Sequence, residues 1–202
     1  MLEVHSTKKF VNLPCGHAQY FDLEPDGSPG NCAAIHGYDR SVEFTFSGNV
    51  DVNGWIIPFG ELKPIKVFLE YYFDHVTVLP ADDKRIGTIP PEMLDRDRNG
   101  LLNTLRVLPY GVSMEMSSLF IWEHVNPYIV DLSEGRVYVS RVQSIEHERN
   151  TAFVTSDAMT AKTQARTYMQ THGQTFLPQK PGWNYVKPIR KLNDINSFNR
   201  GI

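Results

Sequence analysis

The chain has 202 residues, of which 41% are hydrophobic and 21% are charged, as in a folded globular protein with a core. Its apolar runs are far too short to span a bilayer, and the first residues lack the basic and apolar regions of a signal peptide. We therefore expect a cytoplasmic protein without a membrane partner, whose two cysteines are free thiols.

Charge is unevenly distributed along the chain. Residues 159–202 contain seven Lys or Arg and one Asp, a net charge of +6, so residues 1–158 carry −9 of the total of −3. Such a tail can bind the acidic body or a neighbouring subunit, or it can contact nucleic acid. The basic residues are spaced out and no nucleic-acid-binding motif accompanies them, which favours the first interpretation. We expect residues 1–157 to form the folded domain and residues 158–202 to form a basic C-terminal extension.

Apolar and polar residues alternate in four segments, which predicts four half-buried β-strands. The segments are Lys8–Cys15, Arg40–Gly48, Arg136–Glu146 and Asn150–Val154. Between the first two, Phe21–Asn31 is rich in Asp, Pro, Gly and Ser and is predicted to be a loop.

Two segments between the strand pairs show helical periodicity. Phe59–Phe73 places apolar residues three and four apart, and Met114–Val125 shows a similar face with Ser113 as its N-cap. Residues 80–104 are charged, contain prolines and an Asn-Gly turn, and are predicted to form a long surface excursion. The order is therefore β-β-α-α-β-β, and Ala161–Gln170 adds a short helical piece within the extension.

Two cysteines and two histidines flank the first loop. Cys15 and His17 are two residues apart on the first predicted strand, so their side chains face the same side. Cys32 precedes His36 by four residues on the approach to the second strand. If the two strands pair, these thiol and imidazole groups converge, and both types are good zinc ligands. The sequence therefore predicts a metal site or an acid–base site at this end of the sheet.

This arrangement, with the motifs that follow it, resembles the 6-pyruvoyltetrahydropterin synthase and 6-carboxytetrahydropterin synthase family. The resemblance extends from Phe10 to Val154. Besides the histidine of the first strand and the Cys-x3-His-Gly sequence, it rests on four motifs in the family's order. They are Gly54–Lys63 at the start of the first helix, Asp74-His75 at its end, Ser113-Met114-Glu115 at the start of the second helix, and Glu146 followed by Asn150.

The resemblance implies an α+β fold called the tunnelling fold, or T-fold, in which a four-stranded antiparallel sheet has two helices on one face. Family members assemble as homohexamers, which are dimers of trimers, with active sites between subunits. They use zinc and act on a pterin substrate, 7,8-dihydroneopterin triphosphate. The four-residue spacing of Cys32 and His36 is that of the carboxy-forming enzymes, which lead toward 7-deazaguanine compounds such as queuosine precursors.

The resemblance also assigns roles to individual residues. Cys32 would be the base that removes a carbon-bound proton, a reaction that suits a thiol whose pKa is lowered. Asp74 would orient His75, which would relay protons. Glu146 would accept hydrogen bonds from the pterin ring, with Glu115 as the second candidate. Without the resemblance, a helix-terminal role would explain Asp74, His75 and Glu115 equally well.

The expected metal site departs from the family pattern at one position. The family has His-Gly-His where this chain has Tyr38 after His36 and a glycine. His17 and His36 are expected to be two zinc ligands, and the third place has three candidates: Cys15, Tyr38 or additional water. We favour Cys15, because it faces the same side as His17 and would leave a position open for substrate. A lone cysteine is otherwise most often an inert buried residue.

The sequence predicts a zinc-dependent lyase that converts 7,8-dihydroneopterin triphosphate to 6-carboxy-5,6,7,8-tetrahydropterin or to 6-pyruvoyltetrahydropterin. The alternative is a non-catalytic or retooled family member that binds a pterin, a purine or a macromolecular partner. The order of the motifs favours the enzyme, whereas the replaced ligand and the basic extension favour the alternative.

Overall fold

The computed structural model describes residues 3–147 and 149–175. A single mixed sheet has helices packed on one face, and a 3-10 turn (Phe59–Leu62) leads into the first helix. The strands and α-helices are β1 (Val4–His17), β2 (His36–Gly48), α1 (Lys63–Phe73), β3 (Val76–Pro80), α2 (Pro91–Leu94), β4 (Leu105–Leu108), α3 (Met114–Leu132), β5 (Val137–His147), β6 (Asn150–Thr155) and α4 (Ala158–His172).

The sheet has six strands in the order β4-β3-β1-β2-β5-β6. The four predicted strands are present as β1, β2, β5 and β6, and they are antiparallel. The expectation of a four-stranded sheet is wrong, because β3 and β4 extend it in parallel on the other side of β1. Leu105–Leu108 has the pattern of a short strand and is β4, but segments of four and five residues are too short for their sequence to predict that they join the sheet.

A β-bulge in β1 decides which side chains of the site face the helices. The pairing of β1 with β2 shifts between Phe10 and Leu13, and Asn12 takes a positive φ of 62° there. Both Phe10 and Leu13 are buried, although residues three apart on a regular strand face opposite sides. Because the bulge resets the alternation, Cys15 and His17 also turn toward the helices.

The core lies between this face of the sheet and the helices. On β2 the inward positions carry Val42, Phe44 and Phe46, and the rings of the two phenylalanines stack 5.8 Å apart. From the helices, Leu69 and Ile129 are fully buried against them. The burial of these large side chains supplies most of the driving force that holds the helices on the sheet.

The second predicted helix is longer than expected. It begins as predicted, because Ser113 Oγ accepts a hydrogen bond from the backbone N–H of Met116 at 3.2 Å. It then continues past Val125 and through Pro127 to Leu132. Tyr128, which is 3% exposed, donates to the Glu61 carbonyl, and this tertiary packing outweighs the local cost of a proline within the helix.

Helix α4 is part of the same packed body, beyond residue 157. It covers the predicted piece Ala161–Gln170 and is capped by Asp157, whose side chain accepts from the backbone N–H of Thr160 at 2.8 Å. Ala161 and Ala165 are buried, and the helix packs along α3, so three helices rather than two cover the sheet. The rest of the predicted extension, 176–202, lies outside the described residues. Over the described part of the chain, no helix is long and apolar enough to cross a membrane.

Candidate functional site

Two histidines face each other where β1 and β2 pair at the end of the sheet. His17 and His36 are direct partners in the strand register, and their ring centroids are 4.2 Å apart. His17 is only 2% exposed. The structure thus brings together the two imidazoles that were expected to be metal ligands.

Both imidazoles keep a nitrogen atom that can bind a metal ion. His36 Nδ1 lies 2.9 Å from the Ala34 carbonyl, so it carries the proton and leaves Nε2 as an acceptor. His17 Nδ1 is buried and has no hydrogen-bond partner among the described residues. Burial, followed by the charges of Arg40 and His36, lowers the pKa of His17 to about 3. A neutral imidazole beside a ring held by a backbone carbonyl is the form in which histidine binds zinc, so the pair fits this metal.

Tyr38 is the third ring of this cluster. Its centroid lies 6.2 Å from that of His17 and 5.9 Å from that of His36, and the side chain is partly exposed. On its other side the ring of His147, at the end of β5, lies 6.0 Å away. The sequence reasoning missed His147, since no spacing marks it, and the register of β2 with β5 would have been needed to find it.

Cys15 lies on the same face as His17 but belongs to the apolar core. It is 5% exposed, pairs with Tyr38 in the strand register, and its burial raises the pKa of the thiol. Within residues 3–147 and 149–175, no group of three His, Cys, Asp or Glu side chains is arranged to hold a metal ion. The ring contacts place Tyr38 with the two imidazoles, and ligation of a metal by Cys15 or by Tyr38 stays a prediction.

Asp74 and His75 form the expected pair where α1 ends. The Asp74 carboxylate accepts a hydrogen bond from His75 Nδ1 at 2.5 Å. His75 has a positive φ of 52°, its backbone N–H donates to the Pro14 carbonyl at 2.8 Å, and its ring is 83% exposed. A histidine held in this way presents Nε2 to solvent or to a bound molecule.

Cys32 lies on a short 3-10 turn (Asn31–Ala33) at the start of β2. Its backbone N–H donates to Asp22 Oδ2 at 2.8 Å, which fixes the turn. In the described part of the chain, no hydrogen bond joins the Cys32 thiol to His75. The roles of Cys32 as base and of His75 as proton relay stay predictions.

The two predicted pterin contacts differ in their surroundings. The Glu146 side chain is 13% exposed, and its Oε2 atom accepts from Asn150 Nδ2 at 3.1 Å and lies 3.8 Å from His147 Nε2. Glu115 is exposed in the first turn of α3. The Glu146 carboxylate is therefore held at the site, whereas the position of Glu115 suits an acid at a helix N-terminus.

Arg40 is a second feature that the sequence reasoning missed. It follows Tyr38 on the same face of β2, is 2% exposed, and its Nη1 atom donates to Ser117 Oγ at 3.3 Å. Its Nε and Nη2 atoms have no hydrogen-bond partner among the described residues. Burial lowers the pKa of Arg40, and the neighbouring Cys15 and Glu146 oppose that shift. An arginine in a strand that alternates apolar with polar residues gives no sign in the sequence that it is buried.

An open depression of about 460 Å³ connects Tyr38 to His75 across the pairing of β1 with β2 and β3. Gly16 and Gly37 face each other in its floor. Its lining consists of Pro14, Cys15, Gly16, Gly37, Tyr38, Asp39, His75, Val76, Thr77 and Thr104. A ligand in this depression would lie between Tyr38 and His75.

The model of one protein family, described as 6-pyruvoyl tetrahydropterin synthase, matches residues 7–157. The chain belongs to the 6-pyruvoyl tetrahydropterin synthase family. The match includes the paired histidines, Tyr38, the Asp74–His75 pair and Glu146.

Two curated relatives of this family member are 6-carboxy-5,6,7,8-tetrahydropterin synthases. The protein of Rickettsia typhi is 36% identical over 63 residues, and that of Rickettsia felis is 33% identical over 63 residues. In both cases the match covers 30% of this chain and 46% of the relative. The chain therefore spans less than half the length of the curated relatives that it matches.

Two solved structures share the fold. An uncharacterised protein of Wolinella succinogenes is 20% identical with a TM-score of 0.66, covering 78% of this chain and 100% of that one. The 6-pyruvoyl tetrahydropterin synthase of Plasmodium vivax is 16% identical with a TM-score of 0.56, covering 78% of this chain and 99% of that one. At these identities the likeness shows the mixed α+β T-fold of the family member.

Proposed function

We propose that the protein is a zinc-dependent lyase that acts on 7,8-dihydroneopterin triphosphate and forms 6-carboxy-5,6,7,8-tetrahydropterin or 6-pyruvoyltetrahydropterin. The observation that supports this most strongly is the facing pair of His17 and His36, 4.2 Å apart, within a chain of this family. The spacing of Cys32 and His36 and the likeness to the Rickettsia proteins favour the carboxy-forming reaction.

His17 and His36 would hold the metal, with Tyr38 or Cys15 in third place. Zinc held there would supply a Lewis acid for the side-chain oxygens of the substrate. The burial of His17 excludes water from one side of the site and holds its imidazole neutral. Metal binding would also give the unpartnered Nδ1 atom of His17, or its Nε2 atom, a defined role.

Cys32 and His75 would move the protons. The Asp74 carboxylate accepts from His75 Nδ1, which leaves Nε2 to take or give a proton at the substrate side chain. Cys32 would take the carbon-bound proton as a thiolate. We propose that a homohexamer, formed as a dimer of trimers, completes the active site between subunits.

Glu146 would anchor the substrate. Its carboxylate is largely buried beside Asn150 and His147. It can accept two charge-assisted hydrogen bonds from the 2-amino group and the ring N–H of a pterin. This anchor would orient the side chain of the pterin toward the histidine pair.

A second candidate function is binding of a pterin or a purine without turnover. One observation favours it: the described residues contain no group of three His, Cys, Asp or Glu side chains able to hold a metal. In that case the chain would retain the ring-binding residues of its family without its chemistry.

Metal content and turnover together test the proposal. We expect the purified full chain to bind about one zinc ion per subunit and to release acetaldehyde and triphosphate from 7,8-dihydroneopterin triphosphate. His36→Ala should lower zinc affinity by roughly 100-fold or more and abolish turnover. Cys32→Ala should keep the zinc and lose the turnover. Metal analysis by mass spectrometry and product analysis by chromatography give both readouts.

His5→Gln is the matched control for the histidine variants. His5 also lies on β1, but its ring bonds to Ser47 Oγ at 2.7 Å on the opposite face of the sheet. This variant should keep both zinc and turnover. A wild-type protein that binds no zinc and releases neither triphosphate nor acetaldehyde would contradict the lyase and leave the binding function.

The identity of the third ligand gives a separate prediction. Tyr38→Phe removes the phenol oxygen but keeps the ring, and Cys15→Ala removes the thiol from the core. If Cys15 is the ligand, zinc content falls in Cys15→Ala and not in Tyr38→Phe. If Tyr38 is the ligand, the order of the two variants is reversed. Competition with a zinc-binding dye measures the affinity of each.

A further inference from the structure

One edge of the buried Arg40 guanidinium lacks hydrogen-bond acceptors. Arg40 Nε and Nη2 have no hydrogen-bond partner among the described residues, although the residue is 2% exposed. Both atoms belong to the same edge of the guanidinium plane. Arg85 shows what this edge binds, because its Nε and Nη2 atoms donate to the two oxygens of Asp83 at 2.9 Å and 2.7 Å. Arg40 Nε and Nη2 are thus two parallel donors, a guanidinium fork, that lack acceptors.

Glu146 is the nearest charged neighbour across the sheet. β2 and β5 pair Val42 with Ser144 and Ser41 with Ile145, so the next pair in this register is Arg40 and Glu146. Ser144 bonds to Ser118, and Arg40 bonds to Ser117, both in the first turns of α3. The two charged side chains therefore lie side by side beneath the start of α3. They are not within 4.0 Å as an ion pair in the described structure.

A carboxylate beside a guanidinium fork complements a ring edge that carries two donors followed by two acceptors. The carboxylate accepts from the donors, and the fork donates to the acceptors, as arginine does to the O6 and N7 atoms of guanine. In a 2-amino-4-oxopteridine the donors are the 2-amino group and the N3 hydrogen. The acceptors are O4 and the adjacent N5, provided that N5 carries no hydrogen.

We propose that Arg40 is a specificity-determining residue that donates to O4 and N5 of the pterin whose 2-amino and N3 groups are bound by Glu146. This inference rests on the proposed function and adds to it the oxidation state of the ligand. A 7,8-dihydropterin offers N5 as an acceptor and satisfies the fork. A tetrahydropterin carries a hydrogen at N5 and opposes a donor with a donor. The site therefore holds the dihydro substrate more tightly than a tetrahydro product, which favours product release.

Arg40 lies next to two side chains that are themselves partly exposed. Tyr38 precedes Arg40 on the same face of β2 and is 37% exposed, and the Glu146 side chain is 13% exposed. The proposal requires that these side chains move when a ligand binds, since Arg40 itself is 2% exposed. A buried donor without a partner is unfavourable, so a ligand that satisfies both donors stabilises the opened arrangement.

Anaerobic titration calorimetry of the full chain with 7,8-dihydroneopterin and 5,6,7,8-tetrahydroneopterin tests the inference. We expect wild-type protein to bind the dihydro form about tenfold more tightly. Arg40→Met retains the volume and removes the donors, so the ratio of the two dissociation constants should fall to about one. Because Arg40→Met removes a buried charge that has no ion-pair partner, the thermal midpoint of the variant should equal or exceed that of wild type. The thermal midpoint therefore separates a loss of selectivity from a loss of folding.

Two further variants separate the possible outcomes. Arg136→Met is the matched control, because Arg136 bonds to backbone carbonyls at the far end of β5 and should leave the ratio unchanged. Glu146→Gln should weaken both ligands alike. If Glu146→Gln does so and Arg40→Met keeps the wild-type ratio, the role of Arg40 is overturned while the pterin site stands. If wild-type protein binds neither ligand, the proposed function falls and the role of Arg40 falls with it.

Discussion

Gly37 allows β1 and β2 to pack closely where His17 and His36 face each other. It lies opposite Gly16, and a Cβ atom at position 37 would be 2.5 Å from the Cys15 carbonyl oxygen. That contact is with backbone, which cannot rotate away as a side chain can. The His-Gly sequence is thus required by strand packing, whatever the imidazoles bind.

Gly37→Ala should therefore lower the free energy of unfolding by about 2 kcal/mol, as expected for a steric clash with backbone. It should also separate His17 from His36 and weaken zinc binding. Gly60→Ala is the matched control, since no atom lies within 4 Å of a Cβ built at Gly60. Urea denaturation of both variants measures the difference. Equal stability of the two variants would show that the strands can separate without loss.

The sequence alone located the histidine pair but not its surroundings. Cys-x3-His-Gly and the position of His17 are local patterns, and strand pairing then brings the rings together. Arg40 and His147 join the site through the register of β2 with β5, residues distant in the chain. Without that register, Arg40 is one more polar residue in an alternating strand, and His147 follows a glutamate without a motif.

At the scale of elements, the strands with strong alternation were predictable, and of the short parallel ones only β4 had a strand-like sequence. β2 alternates between buried and partly exposed residues from Val42 to Phe46, a direct result of having one face on the core. β3 and β4 are five and four residues long, and they are strands because β3 pairs with the edge of β1 and β4 then pairs with β3. Whether such a short segment forms a strand depends on the neighbouring strands more than on its own sequence.

Helix α4 was expected to belong to an extension, yet one buried side chain ties it to the body. Asn126 of α3 is fully buried and donates to the Ala161 carbonyl and to Gln164 Oε1, both at 2.8 Å. Its Oδ1 atom accepts from the backbone N–H of Val139 at 3.1 Å. One amide thus connects α3, α4 and β5.

Asn126→Ala should lower the free energy of unfolding by about 3 kcal/mol, because it leaves the buried N–H of Val139 without an acceptor and removes both hydrogen bonds to α4. Loss of α4 packing should appear as faster hydrogen exchange in residues 158–172, measured by mass spectrometry. Asn49→Ala removes the same side chain from an exposed position and should change neither quantity. If hydrogen exchange in residues 158–172 is the same in Asn126→Ala as in wild type, the packing of Ala161 and Ala165 alone holds α4 on the body.

At the scale of the whole molecule, acid should destabilise the fold through histidines that are buried in their neutral form. His124 lies on α3 among the rings of Phe68, Phe120 and Tyr168, with ring centroids 4.4 to 5.9 Å away. Its Nδ1 atom bonds to the Phe120 carbonyl at 2.8 Å. Burial, with a smaller contribution from the charge of His172, lowers the pKa of His124 from 6.5 to about 4.

Above pH 6.5 His124 is neutral in the folded and the unfolded chain, so its contribution does not vary with pH. Between pH 6.5 and pH 4 the unfolded chain binds a proton that the folded chain does not, and the free energy of unfolding falls as pH falls. The loss from this one group reaches about 3 kcal/mol at pH 4. His124→Gln keeps an N–H donor and cannot titrate in this range, so its stability should fall less steeply. Urea denaturation at pH 7.5, 5.5 and 4.5 gives the free energy of unfolding of both proteins at each pH. If wild type and His124→Gln lose stability equally on acidification, His124 is protonated without unfolding.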